Sequence, residues 1–367
     1  MINKQKKVTA AQIGRATALA LAALLLCACQ AADTAVIRAM QRQVAESLSN
    51  TFLNELPDGL HVYICGAGSP MPDAQRAGPC VGVVAGQRLY LVDVGSGGVR
   101  NLGPAGIMAG RVDAVLLSHF HSDHINGLGE IAMQRWAGGH RDAPLPVFGP
   151  EGVTEIVKGF NAAYAQDVQY RIEHHGSDTV IPSGAGMVAR PFASPEGDGS
   201  ATVIDDGELK VTAFTVNHSP ISPAVGYRFD YKGRSVLISG DTTKSPVVER
   251  HARGVDLLLH EALSPELVGV MTAGAREAGV AHMEKISQDI LDYHTTPVEA
   301  AQIAAAAEVQ QLVYYHIVPA LPVGYLKRIF LRGVDEAYAG PVHVSEDGDF
   351  FSLPAGGDEI SHDNLID

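Results

Sequence analysis

Residues 118–124 read Ser-His-Phe-His-Ser-Asp-His, which brings three imidazoles and a carboxylate together at His119, His121, Asp123 and His124. Neutral imidazole nitrogens and carboxylate oxygens are ligands that suit zinc and its first-row neighbours. On an extended segment, a His-x-His pair projects both rings to the same side, and the following Asp-His pair can turn towards a second ion. A solvated polar loop is the alternative, but a motif this dense directly after an apolar run favours metal binding.

The heptad starts where a predicted strand ends. Arg88–Val94 and Val112–Leu117 are short apolar runs, rich in β-branched residues and bounded by glycine or polar residues, and both predict buried strands. Open α/β layers place their chemistry at strand ends, where a rigid sheet holds the ligands. Asp93 lies near the end of the first strand, where it either orients the histidine loop or caps a loop amide.

Further ligand candidates occur downstream, mostly after strand-like runs. They are His218, Asp241, His260, His294 and His316. A carboxylate can bridge two cations whereas imidazole normally does not, so Asp241 is the natural shared ligand. Each residue alone has an ordinary structural explanation, and it is their repeated placement in one chain that indicates a common site.

The order of these motifs resembles the metallo-β-lactamase superfamily, and more closely its ribonuclease Z and arylsulfatase-like branch. The resemblance is carried by the heptad, His218, Asp241, and four shorter motifs: Gly66–Pro70, His260–Ala262, His294–Pro297 and Tyr315–Ile317. It covers roughly residues 58–353. It implies an α/β fold, the αββα sandwich of the metallo-β-lactamase fold, in which two mixed sheets pack face to face with helices outside.

The resemblance also implies roles for individual residues. One metal ion is expected on His119, His121 and His218 and a second on Asp123, His124 and His316, with Asp241 as the bridge. The two ions, expected to be Zn²⁺ with Mn²⁺ or Fe as alternatives, would share a hydroxide that Asp123 orients for attack. His294 is the expected catalytic proton donor. His260 and Glu261 are given supporting roles only, because Leu263 stands where the family usually has threonine.

His294 lies just before a predicted helix start. Thr296-Pro297-Val298-Glu299 is a capping box with proline at the first helical position, which predicts a helix continuing to about Ala307. The N-terminus of that helix would favour an anionic group beside the metals. The alternative is that His294 only closes a turn.

The N-terminus predicts export from a bacterial cytoplasm. Four cations precede a 13-residue apolar stretch, residues 16–28, which is too short to span a bilayer as a helix. Leu26-Cys27-Ala28-Cys29 resembles a lipobox with Cys29 as the lipidated residue, which would tether the protein to a membrane surface. Cleavage after Ala31 and retention as an anchor are the alternatives, so the expected location is the periplasm or a lipoprotein-bearing membrane.

The chain divides into four expected segments. They are a signal peptide at 1–29, a lead segment at 30–57, the metallo-β-lactamase domain at 58–353, and an acidic tail at 354–367 whose residues 358–367 are expected to be disordered. Cys65 and Cys80 flank a Gly/Pro-rich loop between two predicted strands. In an oxidising compartment a disulfide between them and a pair of buried thiols are both consistent with this placement.

Charge bears on the substrate. The chain carries −14, and removing residues 1–28, with four cations and no acids, leaves −18. Residues 140–200, where a tRNA-processing relative would carry a basic arm, hold four Lys or Arg against eight acids. A small ester is therefore the expected partner and nucleic acid is not. Homodimer formation is left open.

Four functions remain. The first is an exported dizinc hydrolase of a phosphodiester or sulfate ester. The others are a 3'-tRNA-processing type of endoribonuclease, a lactone or β-lactam hydrolase, and a metal-binding lipoprotein without turnover.

Overall fold

The computed structural model describes residues 32–45, 48–49 and 52–366. It divides into two units, Met1–Thr51 and Phe52–Asp367. In the first, residues 32–45 are helical and exposed. The predicted signal peptide and Cys29 lie outside the described residues. Within the described ranges, no helix combines the length and apolar character needed to cross a membrane.

The second unit contains fifteen strands among its described residues. They are β1 Gly59–Gly66, β2 Cys80–Ala85, β3 Arg88–Val92, β4 Val112–Leu116, β5 Leu145–Gly149, β6 Met187–Pro191, β7 Ala201–Asp205, β8 Leu209–Thr215, β9 Val225–Tyr231, β10 Arg234–Ile238, β11 Leu257–Leu263, β12 Gln311–Val318, β13 Val342–Val344, β14 Asp349–Pro354 and β15 Ser361–Asn364.

The strands form two sheets. One has eight strands in the order β15-β14-β1-β2-β3-β4-β5-β6, and the other has seven in the order β13-β12-β11-β10-β9-β8-β7. Both sheets are mixed. Strands β3 to β6 and β10 to β13 run parallel, and the remaining neighbours pair antiparallel.

Helices lie between the strands along the chain. The α-helices are Phe52–Glu55, Ser122–Ile125, Leu128–Met133, Val153–His175, Pro246–His251, Pro265–Glu277, Ala281–Asp289, Pro297–Ala306, Tyr325–Phe330 and Val334–Ala337. A π-turn spans Gln134–Gly138, and short 3₁₀ turns span Gly98–Asn101, Ala109–Arg111, Pro182–Gly184 and Ile290–Asp292.

Side chains along the strands point alternately into the core between the two sheets and outward towards the helices. In β10, Val236 and Ile238 enter the core between the two sheets, whereas Leu237 packs outward with the helix Pro297–Ala306. The other sheet buries its outer face against helices that include Leu128–Met133 and Val153–His175. Strands covered on both faces read as continuous apolar runs, which is why the predicted buried strands were recognisable. The αββα sandwich of two mixed sheets is confirmed.

The prediction of a disordered C-terminal tail is wrong. Strand β15 pairs antiparallel with the outer edge of β14, from Ser352↔Ser361 to Asp349↔Asn364. The backbone carbonyls of Gly357 and Asp358 also accept hydrogen bonds from Arg234. Backbone pairing at a sheet edge needs no apolar side chains, and charged residues are common there, so composition alone gave the wrong answer.

Candidate metal centre

Four of the predicted ligands converge on one point. His121 Nδ1 lies 3.0 Å from His119 Nε2 and 3.4 Å from His218 Nε2. The Oδ2 atom of Asp241 lies 3.8 Å from His119 Nε2 and 3.9 Å from His218 Nε2. These spacings are close to the distance of about 3.3 Å between neighbouring ligands around a tetrahedral zinc ion.

A second group shares Asp241 with the first. His124 Nε2 and His316 Nε2 lie 3.4 Å and 3.2 Å from the same Asp241 Oδ2 atom. Each also lies 3.3 Å from Asp123 Oδ2. Asp241 Oδ2 is therefore surrounded by four imidazole nitrogens, two from each group, as a bridging ligand would be.

The backbone supplies the turns that this convergence requires. After β4, Asp123 and His124 lie in the helical turn Ser122–Ile125, whereas His119 and His121 precede it. Gly240 precedes Asp241 with φ +63°, and a Cβ atom there would come within 2.5 Å of the Val225 carbonyl oxygen. Only glycine fits this position without displacing the backbone of β9.

His316 lies within β12 and not after it. The pairing of β11 with β12 shifts at this point, so that Glu261 faces Tyr315 and Ala262 faces Ile317. His316 is the extra residue of this bulge and has φ +46°. A bulge redirects a side chain out of the normal alternation, and here it directs the imidazole towards Asp123 and Asp241.

Asp93 organises the histidine loop. Its Oδ1 accepts the Ser118 amide at 2.8 Å, and its Oδ2 accepts the Ser118 hydroxyl at 2.7 Å and His124 Nδ1 at 2.8 Å. Ser118 Oγ is also 3.0 Å from His119 Nδ1. Since Nδ1 of His119 and His124 is used in these bonds, Nε2 of each ring is left to bind a metal. Asp93 thus both orients the loop and caps its amide, and the two alternatives given for it are combined.

His218 is fixed in the same way by a residue that the sequence did not indicate. Its Nδ1 donates to the Tyr293 backbone carbonyl at 3.0 Å, which leaves Nε2 facing the other ligands. The backbone oxygen of Tyr293 carries no sequence signal, because any residue at that position would supply it.

Glu261 joins several loops at the base of the site. Its Oε1 accepts from His294 Nδ1 at 3.1 Å, from the Thr295 amide at 3.0 Å and from the Thr242 amide at 3.2 Å. His294 lies between this carboxylate and the ligands, with its ring centre 5.4 Å from that of His218 and 5.5 Å from that of His316. The predicted capping box at Thr296 and Glu299 is present, and its helix spans Pro297–Ala306.

His260 does not reach the ligand group. It is fully buried, and its Nδ1 donates to the Glu261 carbonyl at 2.7 Å. Its place beside Glu261 agrees with a supporting role.

Electrostatics in the site suit cation binding. Burial lowers the pKa of the imidazoles of His119, His121 and His218, which keeps their nitrogen lone pairs free for a metal. Burial alone would raise the pKa of the Asp241 carboxyl, but His316 and His124 hold it well below its usual range. The Asp241 carboxylate is therefore ionised.

The residues fit a pair of divalent ions. Among the described residues, the buried polar atoms without a hydrogen-bond partner include His124 Nε2, His316 Nδ1 and Asp241 Oδ1. Buried polar atoms are nearly always satisfied, so three such atoms on ligand candidates of one shared cluster indicate a missing partner. The donor set of five histidines and two aspartates matches the preference of zinc and its neighbours.

A cavity of about 220 Å³ opens over the site. Its lining includes His121, Asp123, Asp241, His294 and His316, together with Ser69, Met71 and Tyr293. The wall formed by Ser69–Met71 belongs to the Gly/Pro-rich loop between β1 and β2. A small substrate entering this cavity would meet the ligand atoms and His294 together.

The loop between β1 and β2 is held at its base by a disulfide and by hydrogen bonds to Asp347. Cys65 and Cys80 form a disulfide with a Cα–Cα distance of 5.0 Å. The Asp347 carboxylate accepts the amides of Ala67 at 2.9 Å and Ala77 at 2.7 Å. The Ala67 carbonyl in turn accepts the amide of Ile317, next to the ligand His316. Asp347 was not recognised from the sequence, because a single aspartate in a loop is unremarkable.

Comparison with known proteins agrees with this geometry. A family profile described as a β-lactamase superfamily domain matches residues 90–317. A protein named ribonuclease Z from Mycolicibacterium paratuberculosis is 33% identical over 290 residues, which is 78% of this chain and 96% of the relative. Another ribonuclease Z, from Mycolicibacterium gilvum, is 34% identical over 267 residues, covering 72% of this chain and 86% of the relative.

Solved structures show the same fold. The short form of human tRNase Z aligns with a TM-score of 0.58 at 20% identity, over 80% of this chain and 99% of that chain. The metallo-β-lactamase fold protein YhfI from Bacillus subtilis aligns with a TM-score of 0.57 at 20% identity, over 81% of this chain and all of that one.

Proposed function

This chain belongs to the metallo-β-lactamase superfamily as a ribonuclease Z-like hydrolase, and we propose that it is an exported, dinuclear zinc phosphodiesterase. The observation that carries the proposal is the position of Asp241 Oδ2 between four imidazole nitrogens, with His294 beside them on the Glu261 carboxylate. The His₃Asp and His₂Asp₂ donor sets, sharing one carboxylate, favour zinc, with manganese or iron as the alternatives.

Two bound metal ions would lower the pKa of a water molecule and neutralise charge on the phosphoryl oxygens of the substrate. Asp123 lines the cavity with its carboxylate between His124 and His316, where it can accept a hydrogen bond from an attacking water. His294 lines the same cavity. Because Nδ1 of His294 donates to Glu261, its Nε2 is the ring atom free to protonate the leaving oxygen.

The substrate would enter through a small cavity walled by Ser69, Met71 and Tyr293. A compact phosphodiester or sulfate ester fits a space of about 220 Å³. Residues 140–200, which carry more acids than bases, contain the helix Val153–His175, most of whose residues are at least partly exposed. Such a surface offers little attraction to a phosphate backbone.

Processing of tRNA 3' ends is the second candidate. It is favoured by the match to proteins named ribonuclease Z along 96% of the length of one of them. Activity on a precursor tRNA therefore has to be measured beside activity on small esters.

The test is one panel on one batch of metal-loaded holoenzyme. It comprises bis(p-nitrophenyl) phosphate, p-nitrophenyl sulfate, a lactone, nitrocefin and a precursor tRNA. We expect kcat/KM to be highest for the phosphodiester, and Asp241→Ala should abolish that rate. A higher rate on precursor tRNA would favour the second candidate. Preference for a ring substrate, or no turnover at all, would contradict the proposal and favour a lactone or β-lactam hydrolase or a metal-binding lipoprotein.

Export is proposed from the signal-like N-terminus and is supported by the disulfide, because disulfides are rare in cytosolic proteins. Cys29→Ser should abolish fatty-acid labelling of the protein while leaving its export from the cytoplasm intact. Unlabelled wild-type protein found outside the cytoplasm would instead show soluble export, and protein found in the cytoplasm would contradict export altogether.

A further inference from the structure

A second cluster of metal-ligand groups lies away from the centre described above. His343 in β13, Asp349 in β14 and His362 in β15 present two imidazoles and a carboxylate to one another. Strand β13 is the edge of the seven-stranded sheet, whereas β14 and β15 form the edge of the eight-stranded sheet. The cluster therefore bridges the edges of the two sheets.

The carboxylate is the centre of the cluster. Asp349 Oδ2 lies 2.6 Å from His343 Nε2, and Asp349 Oδ1 lies 3.0 Å from His362 Nε2. The Glu346 amide also reaches Oδ2 at 2.8 Å, and the Asn364 side chain reaches Oδ1 at 3.3 Å. Burial alone would raise the pKa of the Asp349 carboxyl, but these bonds, His343 first, hold it below its usual value.

Burial differs within the cluster in a way that suits an ion reached from solvent. The Asp349 side chain is only 4% exposed, whereas those of His343 and His362 are 28% and 38% exposed. The imidazoles of His343 and His362 pack on each other with ring centres 4.4 Å apart and also against Phe351. The aromatic contact fixes the rings on one side and leaves the other side open.

The three ligand atoms lie within 4.8 Å of one another. A tetrahedral zinc ion, with ligands at about 2.0–2.1 Å, needs them about 3.3 Å apart, so a small rotation of the exposed His362 ring would close the site. Two imidazoles and one carboxylate are a common ligand set for divalent first-row metals, and water would fill the remaining positions.

We propose that His343, Asp349 and His362 bind a third divalent transition-metal ion, of which zinc is the representative, independently of the catalytic pair. The ion fastens β14 and β15, at the edge of the eight-stranded sheet, to β13 of the seven-stranded sheet. Neutral imidazoles move their proton from Nε2 to Nδ1 when Nε2 binds the metal, so no net charge has to be removed. Because the site uses no residue of the catalytic centre, it stands whether or not the proposed activity is correct.

The test counts zinc on the metal-loaded protein by equilibrium dialysis and elemental analysis. Wild type should hold one more equivalent than His343→Ala and His362→Ala. His282→Ala, an exposed histidine on the helix Ala281–Asp289, is the matched control and should keep the full number. Zinc added beyond two equivalents should raise the unfolding temperature of wild type and of the control but not of the two cluster variants.

His362→Gln separates metal binding from hydrogen bonding. A glutamine amide can still donate to Asp349 but is a poor zinc ligand, so this variant should lose the third equivalent, with affinity weakened at least tenfold. If it binds zinc as wild type does, or if wild type holds no third equivalent, the cluster is only hydrogen-bonded and the proposal is overturned. Hydrolase activity should be unchanged in all of these variants.

Discussion

The Glu261 carboxylate accepts a hydrogen bond from His294 Nδ1 at 3.1 Å, and this bond fixes which ring nitrogen of His294 faces the cavity. The same carboxylate oxygen accepts the Thr295 amide, so the loop that carries His294 is tied to β11. A residue held in this way can transfer a proton without taking part in metal binding.

His294→Ala should retain both metal ions and lose catalytic rate. General acid catalysis typically contributes about 10²–10⁴-fold, so kcat should fall by that factor with a smaller change in KM. Metal content is measured by elemental analysis on the same sample. Loss of metal in this variant would mean that His294 is a ligand.

Asp241→Ala should reduce metal content at both positions. Its Oδ2 atom lies within 3.9 Å of imidazole nitrogens from both ligand groups, so the variant removes a ligand from each ion and leaves the ions to repel each other. His282→Ala serves as the control. Two equivalents bound with wild-type affinity would show that Asp241 is not the bridge.

Asp93→Asn should weaken metal binding without removing a ligand. Partners of this kind typically contribute about 10–100-fold to metal affinity, because they fix the orientation and tautomer of the ligand ring. Here the variant weakens the bond to His124 Nδ1. The affinity is measured by competition with a chelator, and a wild-type value would show that Ser118 alone suffices to orient the loop.

The double variant Cys65→Ser/Cys80→Ser should be less stable. A disulfide that closes a loop of 15 residues is worth about 3 kcal/mol in the chain-entropy model. The free energy of unfolding in urea should fall by about that amount, and reduction of the wild type should reproduce the loss. An unchanged midpoint in both measurements would indicate that the loop is held by Asp347 alone.

Asp347 should make stability pH-dependent in a defined window. Burial raises the pKa of its carboxyl to about 6, although the Ala67 and Ala77 amides and Asn101 act in the opposite direction. Because the folded-state pKa lies above the unfolded value, the stabilisation is present below about pH 4 and is lost as the pH rises to about 6. The loss is about 3 kcal/mol.

The control for this prediction is Asp347→Asn, which cannot ionise. The difference in unfolding free energy between wild type and this variant should decline from pH 4 to 6 and be constant above pH 7. A difference that does not vary with pH would show that Asp347 stays in one protonation state.

Sequence reasoning predicted β3 and β4 because strands covered on both faces read as largely apolar runs, and it took the αββα arrangement from the resemblance to the metallo-β-lactamase superfamily. It failed at β15, whose pairing depends on backbone groups and not on side-chain type. The roles of Asp347 and of the Tyr293 carbonyl were not predicted for the same reason, since hydrogen bonds between distant backbone and side-chain groups leave no local pattern in the sequence.

The sequence by itself determined the donor types, because imidazole and carboxylate suit zinc-like ions and the heptad supplies four such groups within six positions. Tertiary structure decided how these donor groups are arranged around Asp241. Only folding brings Asp241 Oδ2 among imidazoles from three separate chain segments, and only the β12 bulge, with φ +46° at His316, turns the last ligand inward. The sequence shows which side chains can act as ligands, whereas the direction in which each side chain points depends on backbone geometry set by neighbouring strands.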